Sequence, residues 1–259
     1  MASPPVAKVT ARARVLGCPV DVVDMTAAVR MLVDLVERRR RDSAVQPAVV
    51  VTINPEMVML ARRDRDFASL LESATMLVPD GIGIVRALHR RGHPEATRVG
   101  GADLISAYLP EAERRGHRIA LVGGAPGVAR EARDRMVAAH PRLAVVAASA
   151  GAPDAVTAAR LAAAKPEIVL AAFGAGRQEE FLERRLGAIG AAAGIGVGGS
   201  LDFLAGRVRR APALLRAAGL EWAWRLAIQP WRVRRQAVLP VYWWLEFRES
   251  RRATPVPQR

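Results

Sequence analysis

The chain has 259 residues, 51% of them hydrophobic, so it is globular rather than disordered and long enough to bury a sizeable core. Its one cysteine, Cys18, excludes an internal disulfide framework, and no apolar run is long enough to span a bilayer. The net charge of +14 is uneven: residues 200–259 hold twelve arginines against four acidic residues, a patch that attracts nucleic acid, anionic lipid or phosphorylated substrates without choosing among them.

Residues 1–14 read as a loose basic lead-in without an apolar h-region, so no signal peptide is expected and the chain is placed on the cytoplasmic side. Val15 to Val23 reads as a short strand or hairpin edge. Thr26 is the expected N-cap of a helix with apolar residues at Ala28, Val29, Leu32, Leu35 and Val36, and the run Arg38–Arg41 suits its last turn. A β-type run, Ala48 to Ile53, ends on Thr52, Asn54 and Pro55. A helical segment follows, then a second β-type run, Thr75 to Val78, that ends on Pro79-Asp80-Gly81. Ala102–Arg115 reads as a helix and His117–Val122 as a strand. Gly123 to Gly127 then turns into a helix that runs to about Ala139. That turn is either a phosphate contact or a simple tight turn; it is not G-x-G-x-x-G, and no acidic residue follows at the ribose distance. The alternation continues with strand 143–148, helix 154–164, strand Glu167–Phe173, helix 177–187 and strand Gly194–Val197. Repeated β-then-α spacing with Val/Ile/Ala-rich strands predicts an α/β fold, a Rossmann-like and mainly parallel sheet covered by helices. The expected catalytic core is 15–200, and 201–259 is a helical, basic C-terminal appendage.

Polar residues at strand ends are where parallel α/β proteins place their chemistry. Thr52, Asn54 and Asp80 would share that edge, and Arg98, just before Gly100-Gly101, supplies a cation to face them. A carboxylate, two hydrogen-bonding side chains and an arginine suit removal of a proton while a phosphate departs. No metal or cofactor is expected. Asp64-Arg65-Asp66 lies in a helical, charge-alternating segment where arginines compete for the carboxylates, and His89, His93, His117 and His140 lack ligand spacing. Cys18 reads as a buried structural thiol.

The pattern T-x-N-P-E, P-D-G-x-G, R-V-x-G-x-D-L, then GAGRQEEF at 174–181, GVGGSLDFLAG at 196–206, RAP at 210–212 and GLEWAWRL at 219–226, resembles the WecG/TagA/CpsF family of glycosyltransferases. The match in order and spacing runs over roughly residues 15–235. The resemblance implies transfer of N-acetylmannosamine, its uronic acid or a related sugar from a UDP donor to a prenyl-diphosphate-linked acceptor, with inversion in one displacement. It makes Asp80 the candidate general base and Arg98 the first candidate to stabilise the departing diphosphate. Thr52 and Asn54 would hold sugar or acceptor hydroxyls, or else act as plain strand-end caps. Gln178 becomes a hydrogen-bonder to donor or acceptor, and Asp103 a substrate-binding candidate. Glu179 is either a partner of Gln178 in that task or an acidic first-turn residue. Gly196, Gly198 and Gly199 form the turn expected against the uridine nucleotide, with Asp202 either beside it or an N-cap. Gly176 stands where the family pattern has proline, which loosens that turn.

The tail carries all five tryptophans: Trp222, Trp224, Trp231, Trp243 and Trp244. Interleaved with arginines, they suit a membrane interface; the alternative is a C-terminal helix packed on the core. Arg225, Arg232 and Arg235 fall within about 80° of arc on one continuous helix, although Pro230 is placed to split it. These arginines are expected to close the site over a diphosphate, and the resemblance implies the same. The expected partners are thus a UDP-sugar, a prenyl-diphosphate-linked acceptor and the anionic inner face of the plasma membrane, where the protein would be peripheral. Nucleic acid is not expected, and homo-oligomerisation is left open. Competing readings are an NAD(P) oxidoreductase on the same kind of sheet and a basic nucleic-acid-binding module.

Overall fold

The computed structural model describes residues 11–212, 214–215 and 220–252, with the side chain of Arg252 left out. Most of the expected lead-in and Gly219 of the GLEWAWRL stretch lie outside these residues. The chain opens with an antiparallel hairpin of β1 (Arg12–Val15) and β2 (Cys18–Asp21). It starts earlier than Val15 because Arg12 has a buried partner: its Nε donates to Asp21 Oδ1 at 2.6 Å. The other oxygen of Asp21 accepts the Leu77 N–H at 2.8 Å and fastens the hairpin beside the sheet.

Helix α1 (Met25–Arg41) is capped by Asp24, not Thr26; the Asp24 carboxylate accepts the Ala27 N–H at 2.7 Å from an extended backbone, as an N-cap requires. Thereafter come β3 (Ala48–Ile53), α2 (Pro55–Ala61), α3 (Arg65–Ser73), β4 (Met76–Pro79), α4 (Ile82–Arg90) and α5 (Gly101–Arg115). The second half adds β5 (Arg118–Gly123), α6 (Val128–Ala139), β6 (Ala144–Ser149), α7 (Ala155–Ala164), β7 (Ile168–Ala172), α8 (Arg177–Ile189), β8 (Ala193–Gly196) and α9 (Ser200–Leu204). Asp64, the first residue of the rejected Asp-Arg-Asp pair, caps α3 by accepting the Phe67 N–H at 3.0 Å.

Six strands form one parallel sheet in the order β4-β3-β8-β7-β5-β6. Its strands are apolar nearly throughout because both faces are covered. Val50 and Met76 point into a core shared with α1, α5 and α6, while Val51 and Leu77 point into one shared with the hairpin and α2 to α4. Thr52 pairs with Val78 and Val51 with Gly196, so the carboxyl ends of β3, β4 and β8 finish in step. Connections leave β5 toward β6 and β7 toward β8, in opposite directions along the sheet. Such a reversal opens a crevice at the strand ends.

The tail breaks where Pro230 stands. Helix α10 (Glu221–Ile228) gives way to a 3₁₀ turn (Pro230–Arg232), then α11 (Val233–Gln236) and α12 (Leu239–Arg252). One face of α12 lies on the core: Tyr242 is fully buried and its hydroxyl donates to the Gly83 carbonyl at 3.1 Å. Gly83 permits this approach, since a Cβ there would lie 2.8 Å from Pro55 Cγ and 3.2 Å from Tyr242 Cε1. Buried Glu246 pairs with Arg90 and Arg91 of the α4 end. The opposite face leaves Val241, Trp244 and Phe247 exposed, with Arg248 over the Trp244 ring and Arg251 over Phe247. The packed-helix reading of the tail describes the first face; the second presents aromatic rings and arginines to solvent. Among the described residues, no helix is long and apolar enough to cross a membrane.

Candidate active site

Asp80 follows the last residue of β4, and its N–H donates to the Ile53 carbonyl at 2.8 Å, which anchors it to the end of β3. Gly81 then turns the chain into α4 with φ +97°, a conformation that favours glycine. The Asp80 side chain is 24% exposed at the base of a crevice. Burial pushes its carboxyl above the ordinary aspartate value; Arg98 and the Gly101 N–H oppose the rise, and Glu221 and Asp103 add to it.

Two adjoining cavities meet at this carboxylate. The first is lined by Ile82, Phe203, Trp222, Leu239 and Trp243, with Arg98 and Arg210 among its polar groups. The second is lined by Thr52, Gln178, the Gly196–Gly199 turn, Asp202 and Arg235, and Gly124 reaches it from the end of β5. Asn54, Glu56, Asp80, Ser200, Arg225 and Arg232 line both. One cavity is thus aromatic and the other glycine-walled and polar, with a common wall that carries two carboxylates, Glu56 and Asp80, and two arginines.

Those arginines come from the tail. Arg225 stacks over the Phe203 ring at 4.6 Å, and Arg232 has a side chain 14% exposed. Burial lowers both below the usual arginine value, Arg232 to about 10 with Arg225 adding to the drop, so Arg232 remains a cation at neutral pH. Their buried Nε atoms have no hydrogen-bond partner, nor do Gln229 Oε1 and Gln236 Oε1. Among the described residues Arg225 has no carboxylate within ion-pair distance and Arg232 has only Glu56, at 4.0 Å, so two weakly matched cations lining one crevice form a place for a multiply charged anion. Arg235, more exposed, donates to Glu56 at 3.0 Å.

The remaining sequence candidates divide. Arg98 does face Asp80, with Nε 3.4 Å from Oδ1. Thr52 Oγ1 donates to the Gly196 carbonyl at 3.3 Å, and Asn54 Oδ1 accepts the Met57 N–H at 3.1 Å, so both act as strand-end ties while lining the second cavity. Gln178 Oε1 accepts the Gly198 N–H at 3.1 Å, and its Nε2 donates to Glu179 at 2.7 Å. Glu179 is fully buried and accepts the Gly176 N–H at 2.7 Å, lining neither cavity; it orients Gln178 and closes the turn where proline is absent. Gly198 has φ +44°, and Gly199 accepts from Arg225 Nη2 at 3.5 Å. Asp202 is not an N-cap, since α9 begins at Ser200; its carboxylate lines the second cavity and burial raises it, against Arg225, Arg207 and Arg232. Asp103 lines neither cavity: it is held bidentately by Arg210 at 2.5 and 3.0 Å and approached by Arg98. Gly124 gives its N–H to the Ala172 carbonyl at 2.9 Å and borders the second cavity, and the Val128 N–H donates to the Ala125 carbonyl at 3.1 Å as the chain turns into α6. No three His, Cys, Asp or Glu side chains among the described residues are grouped to hold a metal ion.

Glu56, Ser200, Phe203, Arg210, Glu221, Trp222 and Trp243 were not singled out for the site from sequence. Glu56, Arg210 and Glu221 do lie in the motifs T-x-N-P-E, RAP and GLEWAWRL. That position was the only signal, because their partners are far away in the chain.

The model of the glycosyl transferase WecG/TagA/CpsF family matches residues 13–255. An N-acetylglucosaminyldiphosphoundecaprenol N-acetyl-beta-D-mannosaminyltransferase of Bacillus subtilis (strain 168) is 31% identical over 212 residues, covering 81% of this chain and 82% of the relative. The protein of the same name from Bacillus spizizenii (strain ATCC 23059 / NRRL B-14472 / W23) is 33% identical over 197 residues, 75% and 77% of the two chains. The chain belongs to the WecG/TagA/CpsF family of glycosyltransferases.

Proposed function

We propose that the enzyme transfers N-acetylmannosamine from a UDP-linked donor to an N-acetylglucosaminyl-diphosphate-prenyl acceptor, with Asp80 as general base. The observation that carries the reading is the position of Asp80 on the wall common to an aromatic and a glycine-lined cavity. The names of the two Bacillus relatives support the sugar and the acceptor. In this scheme the polar cavity takes the nucleotide diphosphate against Gly196–Gly199 and the arginines. The aromatic cavity takes the acceptor, with its prenyl chain running past Trp222, Leu239 and Trp243.

Asp80 removes the proton of an acceptor hydroxyl as that oxygen attacks the anomeric carbon from the face opposite the diphosphate. The bond from that carbon to the diphosphate oxygen breaks, and UDP leaves with both electrons. Arg225 and Arg232, which line both cavities, neutralise the charge that develops on the leaving oxygen, while Arg98 stays beside Asp80. One stereocentre is inverted in one displacement. The exposed Trp244, Phe247, Arg248 and Arg251 face of α12 and the exposed Trp231 support a peripheral position on an anionic inner-membrane surface. Isothermal titration with a panel of UDP-sugars, followed by transfer to a short-chain acceptor and NMR of the product linkage, tests the reading. UDP-N-acetylmannosamine should bind best and yield an inverted linkage; a retained configuration, or no binding of any UDP-sugar, rejects it.

A further inference from the structure

Arg98 stands among three carboxylates from three parts of the chain. Its Nη2 is 2.9 Å from Glu221 Oε2 of α10, in an ionic contact whose angle lies outside hydrogen-bond geometry. Its Nη1 is 3.4 Å from Asp103 Oδ2 of α5, and its Nε is 3.4 Å from Asp80 Oδ1. Arg210 completes the group: it grips Asp103 bidentately and lies 3.6 Å from Glu221 Oε1. Arg98, Asp103, Arg210 and Glu221 thus close a ring of two cations and two anions. Asp80 is the carboxylate left outside it. The nearest partner of Arg98 is therefore Glu221, which the tail supplies.

We propose that Glu221 is a positioning residue that holds the Arg98 guanidinium off Asp80 and so couples the seating of α10 to the readiness of the site. The inference rests on the reading of Asp80 as general base. A guanidinium lying square on a carboxylate makes it a weak base, lowering its pKa by about one to three units. At 3.4 Å, that pairing is only partly formed. Without Glu221, Arg98 loses its closest anion and is left with Asp80 and Asp103, both at 3.4 Å, of which Asp80 alone has no other arginine paired with it among the described residues. The other charged groups around Asp80 do not substitute. Asp103 is already gripped by Arg210, Glu56 is paired with Arg235, and Arg225 and Arg232 are cations on the cavity side. The same event follows when α10 lifts away: the ring opens and the base is silenced until the tail closes again.

The test is the pH dependence of kcat for the full chain on a short-chain acceptor, in wild type, Glu221→Gln, Asp80→Asn and the double variant. Glu221→Gln should move the acid limb to lower pH by about one unit and reduce the plateau several-fold, as a weaker base does. In the Asp80→Asn background the same substitution should add nothing. An acid limb that stays at the wild-type pH, with a uniform loss of rate, overturns the role of Glu221 while leaving Asp80 as base. Wild-type turnover in Asp80→Asn alone rejects the base itself, a separate failure. Should Glu221→Gln not fold, as a thermal melt reports, Glu221→Asp keeps the charge and withdraws it from Arg98. Its limb should shift in the same direction by less, and an unmoved limb there overturns the inference equally.

Discussion

Glu56, at the head of α2, accepts from Arg235 Nε at 3.0 Å, and its other oxygen lies 4.0 Å from Arg232. A core carboxylate thus holds two tail arginines over the crevice. Of these, Arg232 is buried and has an orphaned Nε, whereas Arg235 is 52% exposed and already paired. The two should weigh differently in transfer. Arg225→Ala and Arg232→Ala should each lower kcat by a factor of roughly 10²–10³, the weight of a lost oxyanion donor in a water-poor site. Arg235→Ala should lose about tenfold or less, since exposed pairs are worth about 1 kcal/mol or less. Rates on a water-soluble short-chain acceptor separate this from membrane binding. Unchanged turnover in the variant lacking all three arginines would sink the cationic-lid role.

Asp80→Asn should retain the fold and UDP-sugar binding but lower turnover by roughly 10²–10⁴, because the isostere removes only the basicity. The pH profile carries a second consequence. Burial raises the carboxyl of Asp80, so the deprotonated base is lost as pH falls through a value above the ordinary aspartate range. The acid limb of kcat/KM for the free enzyme should lie there. A rate that stays flat down to the ordinary aspartate range would remove Asp80 from that role.

The six strands of the sheet are legible in the sequence because each is an apolar run bounded by Gly, Pro or a polar stop, Ala48–Ile53 with the bounds it has; Arg12–Val15 is not, because arginines alternate along it. The cap of α1 was misplaced by two residues because Asp24 and Thr26 are both good caps, and only the backbone at Asp24 decides between them. Thr52, Asn54 and Asp80 could be placed on one edge from strand ends alone, since strand endings share an edge in a parallel sheet. The ring around Arg98 could not. Arg210 and Glu221 meet Asp103 and Arg98 only after the tail folds back, and that fold depends on a glycine at 83 admitting Tyr242. Glu179 looked open because a first-turn acid and a site acid share one spacing; its burial settles that it braces Gln178.

Cys18→Ser should leave transfer near the wild-type rate. The thiol is buried in the hairpin, and burial pushes it up to about 11, with Glu72 adding to the rise and Arg62 and Arg14 opposing it. At pH 8 it is therefore neutral and a poor nucleophile. A thiol reagent should label it slowly in the native protein and rapidly after denaturation. Stoichiometric inactivation of the folded enzyme at Cys18 would contradict this.

The last prediction concerns what seats the tail. Glu246 is fully buried and pairs with Arg90 and Arg91; Arg91 also meets Glu249, whose carboxylate accepts the Leu16 N–H at 3.0 Å. This latch ties α12 to both α4 and the hairpin, and one turn before it Tyr242 and Trp243 contact Gly83 and the aromatic cavity. Removing one member of a buried pair leaves the other uncompensated, at a cost of about 3–5 kcal/mol when both are enclosed. Arg90 is 39% exposed and can turn to water, so the lower end applies. Glu246→Ala should therefore release α12 rather than unfold the sheet. Trypsin should cleave at Arg248 and Arg251 early in a time course, while far-UV circular dichroism of the core persists. Transfer should fall as Trp243 leaves the cavity wall. Arg225→Ala, which leaves the latch intact, should show the same loss of transfer with native protease resistance. Equal resistance in the two variants would mean that α12 is held by Tyr242 and its apolar neighbours, and that the ion pairs contribute little.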